Sequence, residues 1–554
     1  MLRRSVLSLS VLAALLTLGG TFLVILGIPA PVVLVLALLL VGLQYAVNPR
    51  LIEWFIPAAE VPHEGAGYRT AHVLGRIVAD RCAEAGIRPV RLGFIDDGNP
   101  NAFTFGHHRG DARVYLSRGL LERLDDEELD AVIAHEIGHV KNGDFVVMTL
   151  ACVVPMVLYF VYLGARSSRR AESVPITIGA YLAYLVSQLG VLALSRSREL
   201  AADHHSCAVS GHGDALASAL VKIAHGVGQA EAERAQRAAA LTEEAKRYGW
   251  GSDGRKEARK ARQKLEGRER RFGAAGVLGI ADRHAPSGIT LAFDRGLDER
   301  AVIGALRWEA CNPWARAQEL VSTHPTVMHR IAALERSGLP GAPTGWGAAA
   351  LDGAADLPEV RRARRRFPVE LVVRFAFAAG LVTAFLAGRL GAWTLMATGL
   401  VVAGFGLVLR TALQHPAGHE PIDRVTDLLD RLDASPVTGI AVSIRGRVLG
   451  RGMPGYVFSP DLVVSDESGF VPIWYRQPVP FARTLFGAFK AADFLGEEVI
   501  VRGWYRRQPG PIVELRDIVA ANGSRSVGWQ FRAEVAFGAL LAIAGVVALL
   551  ATLG

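Results

Sequence analysis

The stretch AVIAHEIGHVKNGD, Ala131 to Asp144, runs directly into an apolar segment that begins at Phe145. His135 and His139 stand four residues apart with Glu136 between them. Just upstream, Asp125 followed three residues later by Glu128 marks a helix start. Leu129, Val132, Ile133, Ile137 and Val140 then make one apolar stripe. On such a helix the two imidazoles lie one turn apart and point the same way, so two neutral rings can share one zinc ion. Glu136 is offset by about 100° around the axis, beside the ion but not on it. Zinc lowers the pKa of a coordinated water from about 15.7 towards ~7 and polarises a scissile carbonyl. A carboxylate at Glu136 can take the proton and hand it to a leaving amine. The competing reading is a surface helix whose Glu and two His face solvent.

The chain has 554 residues, 51% of them hydrophobic, and a mean hydropathy of +0.27. That composition directs attention to membrane segments. Apolar runs cover Val6–Ile28, Val32–Val47, Phe145–Gly164, Ile176–Leu194, Val369–Gly388, Ala392–Leu409 and Val535–Leu553. Each is near the ~20 residues needed to cross ~30 Å of hydrocarbon, which predicts seven spans. Pro29 and Pro31 break the first two into a hairpin, with Arg3 and Arg4 holding the start in the cytoplasm. Arg361, Arg362, Arg364, Arg365 and Arg366 anchor the fifth span on the same side. Arg166, Arg169 and Arg170, between spans three and four, run against that pattern. The excess of Lys and Arg over Asp and Glu, 61 to 53, fits juxtamembrane anchoring, and no nucleic acid is expected as a partner. Cys82, Cys152, Cys207 and Cys311 are far apart and form no CxxC, so no disulfide framework is expected.

The expected organisation is a transmembrane hairpin at 1–47, a first soluble part at 48–144 carrying the HExxH helix, and a hairpin at 145–194. A second soluble part, 195–345, contains a charged helical insertion at 229–272 rich in Ala, Glu, Lys and Arg. A basic linker at 346–368, a hairpin at 369–410, a β domain at 436–522 and a last span at 535–553 follow. In the β domain, GIAVSIRGRVLGR, DLVVSDESGFVPIWYR, EEVIVRGWYRR and IVELRDIVA read as strands, with PFARTLFGAFKAADFLG as a helix between the second and third of these stretches. That order resembles an OB-like small β-barrel. Its position between two spans favours a structural role or a protein partner.

A catalytic zinc needs a third ligand and an open position. Just after the fourth apolar run comes SRSRELAADHHSC. On a helix Glu199 and Asp203 share a face. Glu199 can reach the zinc, and Asp203 can hold the free ring N–H of a ligating histidine. A solvated Glu199 paired with Arg196 or Arg198 is the plain alternative. His204 and His205 are rival ligands, and His63, His72, His107, His108, His324 and His329 are further histidines in competition.

HEIGHVKNGD, a membrane hairpin and SRELAAD, in that order, resemble the membrane-embedded zinc metallopeptidases of the HtpX type, related to the CAAX prenyl proteases. NAFTFG at 101–106 and STHPTVMHRIAAL at 322–334 resemble two further elements of the same family. The likeness covers roughly residues 1–340. It implies His135, His139 and Glu199 as ligands of one zinc per chain and Glu136 as general base. It places His324 and Arg330 at the site, where either can donate to a developing oxyanion or hold the substrate backbone. Asn101, Ala102 and Phe103 belong to an expected exposed edge strand that pairs an extended peptide.

The expected fold is therefore a multi-pass α-helical membrane protein. It carries a mainly helical HExxH metallopeptidase domain with a small β element, and a C-terminal OB-like barrel. The catalytic helix is too charged to lie in lipid and is expected at the cytoplasmic face. That suits cleavage of membrane or misfolded proteins, in a bacterial cytoplasmic membrane if the Ala-, Gly- and Arg-rich composition reflects a GC-rich genome. An enzyme cutting inside a transmembrane helix would carry HExxH within an apolar span, which this chain does not. A CAAX-type processing enzyme shares the motifs. Outside the enzymes, the alternative is a membrane scaffold with a structural or idle zinc site.

Overall fold

The computed structural model describes residues 29–56, 71–167, 173–224, 257, 290–291, 299–451, 460–508 and 510–553. The first apolar run, Val6–Ile28, and nearly all of the charged insertion at 229–272 lie outside these residues. The chain divides into two compact units. Among the described residues, one holds 29–224 and 316–348. The other holds 257, 290–291, 299–315 and 349–553.

The first unit begins with α1 (Ala30–Phe55), whose parts Pro31–Leu43 and Tyr45–Trp54 meet at a 43° bend. Next come α2 (Ala71–Glu84) and three strands, β1 (Arg91–Ile95), β2 (Ala102–Phe105) and β3 (Arg113–Ser117). The sheet order is β1-β3-β2, with β1 parallel and β2 antiparallel to β3. Helix α3 (Asp126–Asn142) carries the HExxH residues. Its start is the capping box read from the sequence: Asp125 accepts from the Glu128 N–H at 2.9 Å, and Glu128 accepts from the Asp125 N–H at 2.9 Å. Leu129, Val132, Ile133 and Ile137 are buried in one core with Leu74 and Val78 of α2, Val114 and Leu116 of β3, and Ile223.

Gly143 ends α3 in the left-handed region, at φ 66°. Helix α4 (Asp144–Ser167) starts at the next residue, and α5 (Ser173–Ser210) follows it. Val33 and Ala37 of α1 pack on Met156, Phe160 and Leu163 of α4. The other end of α1 covers the sheet, with Ile52 and Ile56 on Phe103, Phe105 and Tyr115. Strand β2 is thus an edge by pairing but not by exposure. All four of its residues are buried, which corrects the expectation of an exposed edge over Ala102 and Phe103. Side chains of α1 and α3 meet it, Ile52 and Ile56 at Phe103 and Phe105, and Glu136 at Thr104.

In the second unit, α6 (Pro358–Arg389), α7 (Trp393–Gln414) and α8 (Gln530–Leu553) form a bundle. Residues 358–368, expected as part of a basic linker, are helical and continuous with the span. The helices approach closely through small residues. A Cβ on Gly399 would lie 2.6 Å from Ala384 N, and one on Gly404 2.3 Å from Ala542 N. Such contacts replace hydrophobic driving force where lipid is the solvent.

Strands β4 (Ile440–Arg451), β5 (Leu462–Ser465), β6 (Gly469–Trp474), β7 (Glu498–Gln508) and β8 (Gly510–Ala520) pair in the order β8-β7-β4-β5-β6. A parallel pairing of β6 with β8, at Ile473–Val513 and Trp474–Glu514, closes them into a barrel. The segment between β6 and β7 is helical in three short pieces, Pro480–Leu485, Phe486–Lys490 and Ala491–Phe494. The long expected strand at 461–476 resolves into a hairpin turned at Asp466, whose Oδ1 accepts from the N–H groups of Ser468 and Gly469.

The protein is thus mostly helical, with several candidate membrane spans and a closed C-terminal β-barrel. Among the described residues five helices are long and apolar enough to cross a membrane, and the bent α1 pair makes a sixth if counted as one span. The five cover, to within a residue at either end, the runs expected at 145–164, 176–194, 369–388, 392–409 and 535–553.

The glycine contacts set a stability test. Gly404→Ala, which drives a methyl into the Ala542 backbone, lowers stability by about 1–3 kcal/mol. Gly179→Ala, with nothing within 4 Å of the new Cβ, is neutral or slightly stabilising. Thermal unfolding of the full chain in detergent compares the two.

Candidate active site

Glycine at 138 lets α3 and α5 come together, since a Cβ there would lie 3.1 Å from Ala202 Cα and 3.2 Å from the His205 ring. Ser206 Oγ of α5 donates to the Ala131 carbonyl of α3 at 2.6 Å. Helix α5 is also tied to the segment that carries His324. Ser195 Oγ donates to Thr323 O at 2.9 Å, and Arg196 donates to the carbonyls of Glu319 and Ser322 at 2.9 and 2.8 Å. Three elements distant in sequence are thereby held around His135 and His139.

His135, His139 and Glu199 form the group among the described residues that could hold a metal ion, with ligand atoms all within 4.8 Å of one another. The two Nε2 atoms are 3.2 Å apart. Glu199 lies 3.8 Å from His135 Nε2 through Oε2, and 3.6 Å from His139 Nε2 through Oε1. Tetrahedral coordination at ~2.0–2.1 Å calls for ligand separations of roughly 3.3 Å. The three positions therefore fit one ion.

The surroundings strengthen that fit. His135 Nδ1 is 2.9 Å from Asp203 Oδ1, and His139 Nδ1 is 2.6 Å from Asp144 Oδ2. Each carboxylate accepts a hydrogen bond from the Nδ1–H, which turns both Nε2 atoms towards each other and towards a carboxylate oxygen. Such a trio calls for a cation among its atoms, a proton or a metal ion. Glu199 is 4% exposed, and its Oε2 makes no hydrogen bond among the described residues. Burial opposes protonation of His139. The hydrogen bond to Asp144 and the charges of Glu199, Glu136 and Asp144 outweigh it, raising its pKa to about 9.

Both outer carboxylates are held in turn. Arg330 is buried and grips Asp203 with two nitrogens, Nε at 2.8 Å from Oδ2 and Nη2 at 2.5 Å from Oδ1. Arg198 Nε donates to Asp144 Oδ1 at 2.5 Å. Arg198 therefore pairs with Asp144, not with Glu199 as the plain alternative had it. Arg330, expected as a donor to substrate, spends its planar fork on Asp203. His324 Nδ1 lies 3.0 Å from Glu199 Oε2, and neither ring nitrogen makes a hydrogen bond among the described residues.

Glu136 is buried beside the ligands. Thr104 Oγ1 of β2 donates to Glu136 Oε2 at 2.6 Å. The solvated-helix reading of the opening stretch therefore fails. Asn101 belongs to the β3 pairing, its carbonyl accepting from Ser117 N at 2.9 Å. Phe103 is packed under α1. Of the rival histidines, His107 bonds Asp111 and Ala46 O, and His108 accepts from Gly110 N. His329 bonds Glu319, and His204 is exposed. His205 is buried but is not in the metal-holding group. His63 and the side chain of His72 lie outside the described residues.

Sequence reasoning missed Asp144, Arg198 and Thr104. Asp144 had a readable signal, as the residue after a Gly that ends the catalytic helix. Thr104 had none, because its meeting with Glu136 depends on how β2 packs against α3.

The model of Peptidase family M48 matches residues 69–337. A "Protease HtpX homolog" of Methanothermobacter thermautotrophicus is 38% identical over 186 residues, covering 33% of this chain and 68% of that protein. The chain belongs to peptidase family M48, as an HtpX-type metallopeptidase. A "Protease HtpX homolog" of Moorella thermoacetica is 34% identical over 208 residues, 36% of this chain and 68% of that one. A "Protease HtpX homolog 2" of Methanosarcina acetivorans is 30% identical over 229 residues, 40% and 76%. No solved structure matches the chain. Membership makes this a metalloprotease and implies a bound metal ion and peptide or protein substrates. The M48 match starts at 69, later than the expected start of the resemblance, and ends before the α6–α8 bundle and the barrel.

Two outcomes follow for metal binding. Since His139 holds a proton up to pH about 9 in the metal-free site, a metal must displace it. Affinity therefore rises with pH towards about 9, by at most roughly tenfold per unit for this one proton, and competition with a chelator between pH 6 and 9 measures it. Asp144→Asn, which removes the carboxylate on His139, weakens metal binding by about 10–100-fold, read in the same assay.

Proposed function

We propose that this HtpX-type protein is a membrane-anchored zinc endopeptidase. In this reading His135, His139 and Glu199 hold one zinc per chain, and Glu136 is the general base. The observation that carries it is the pair of His135 and His139 Nε2 atoms 3.2 Å apart beside a buried, hydrogen-bonded carboxylate at Glu136. Zinc bound there supplies a Lewis acid that acidifies water and polarises a carbonyl. A purely structural zinc site has no use for a carboxylate so placed, which disfavours the scaffold reading.

Glu136 takes the proton of the attacking water and later delivers it to the leaving amine. The Thr104 hydroxyl, donating to Oε2, fixes the carboxylate's orientation. Asp203 and Asp144 hold the two imidazoles in one tautomer, and Arg330 and Arg198 hold those carboxylates. His324, with ring nitrogens that have no other partner among the described residues, is the side chain best suited to donate to the developing oxyanion of the substrate. Arg330 acts through Asp203.

Helix α4 begins one residue after the Gly143 cap, and α5 brings Glu199 back from an apolar segment. Support for action next to a bilayer comes from this placement of the ligands at the ends of two apolar helices. We place the site on the cytoplasmic face of a bacterial inner membrane, with membrane or misfolded proteins as substrates. The barrel is OB-like: five strands in the order β8-β7-β4-β5-β6 closed by a parallel β6–β8 pair, with the helical segment before β7. A protein contact is its proposed role.

Purified full-length protein and an unfolded model protein provide the test. Glu136→Gln keeps stoichiometric zinc and loses cleavage by about 10²–10⁴-fold, while His324→Ala keeps zinc and loses about 10²-fold. Cleavage by Glu136→Gln at the wild-type rate would refute the assignment of the base.

A further inference from the structure

The α6–α8 bundle loses its apolar character at one level. Arg374 on α6, Arg410 near the end of α7 and Glu534 near the start of α8 stand where the uncharged runs begin or stop. Glycine contacts place them side by side: a Cβ on Gly406 would meet Ala376 and Phe377, and one on Gly404 would meet Gly538 and Ala542. If the bundle spans a bilayer, this level is the headgroup layer.

The charges there do not balance. Glu534 accepts from Thr411 at 3.2 Å and Gln530 at 2.9 Å, and Arg410 Nη2 stays 3.7 Å away. Arg374 is exposed, and the charge of Arg410 repels it. Behind them, on the barrel, Arg506 is 2% exposed and pairs with Glu514, which Arg476 Nε approaches only to 4.0 Å. Four guanidinium groups thus face two carboxylates. The Nε atoms of Arg410 and Arg506 are buried with no hydrogen-bond partner among the described residues. Burial, then the charge of Arg476, and after it those of Arg374 and Arg410, pull the Arg506 pKa down against Glu534, to about 9. An excess of guanidinium groups, two of them with a buried Nε that lacks a partner among the described residues, calls for an anion with several acceptor oxygens.

We infer that Arg374 and Arg410, backed by Arg476 and Arg506, bind the phosphate of an anionic phospholipid at the junction of the helix bundle and the barrel. Lipid is the source favoured by the position of Arg374, which is exposed on a helix flanked by the exposed apolar residues Val372 and Phe375. The bound phosphate bridges two arginines that otherwise repel, and so holds the barrel end of the bundle together. The inference rests on the helices spanning a membrane and is independent of the peptidase chemistry.

The experiment uses the full chain in phosphatidylcholine nanodiscs titrated with phosphatidylglycerol, with bound lipid counted by native mass spectrometry. Wild type retains one phosphatidylglycerol above the bulk fraction, and phosphatidylglycerol raises its thermal midpoint. Each of Arg374→Gln and Arg410→Gln weakens retention by about fivefold, and Arg361→Gln/Arg362→Gln leaves it unchanged. Equal losses in the Arg361/Arg362 variant mean diffuse attraction and overturn the site. Displacement of phosphatidylglycerol by millimolar inorganic phosphate means a soluble-anion site and overturns the lipid assignment. The thermal measurement needs only wild type, so an absent shift overturns the inference even if a variant fails to fold.

Discussion

Asp203 is 1% exposed and sits between a histidine and an arginine. A carboxylate so deep in a protein must have both oxygens satisfied or it costs several kcal/mol. That demand organises the peptidase unit. It draws Arg330 in from a helix more than a hundred residues downstream and fixes the His135 tautomer. It also sets the rotation of α5, which decides where Glu199 points. Asp144 repeats the device on His139, with Arg198 in the role of Arg330. The two histidines are presented to a cation by two ion pairs that cross three helices.

The HExxH helix is buried while its flanks are charged. The apolar stripe of α3 is consumed by the core with α2, β3 and residues 213–224. The histidine face is consumed by α5. Charges at Asp126, Glu127 and Lys141 remain near the two ends, where a cap and a C-terminal turn favour acids first and bases last. Gly143 then resets the chain direction, so an apolar helix can follow at once without continuing the catalytic one.

The barrel unit uses different physics. Its three helices pack through Gly and Ala because burial of apolar surface yields little between segments that face lipid. Glu370, 3% exposed on α6, is satisfied by the Trp314 indole at 2.6 Å and by the Thr438 hydroxyl. Trp308 Nε1 reaches Ala434 O at 2.9 Å, and Asn312 reaches Leu432 O at 2.9 Å. These polar contacts join the helix Glu299–Cys311 to the loop ahead of β4, although in sequence that helix stands among residues of the family match.

Local chemistry was legible in the sequence by itself. The capping box at Asp125 and Glu128, the helical spacing of His135 and His139, five of the seven apolar runs and the strand alternation of 439–520 each depend on residues a few positions apart. The Glu199–Asp203 pair was also readable, because two carboxylates four apart must share a helix face. Tertiary structure alone decided which partner each buried charge took. Arg198 went to Asp144, Arg330 to Asp203, and Thr104 to Glu136. It also decided that β2 would be covered and that β6 and β8 would close a barrel. Those outcomes depend on where whole helices and strands cross, and a burial penalty on an unpaired charge acts only once the chain has folded around it.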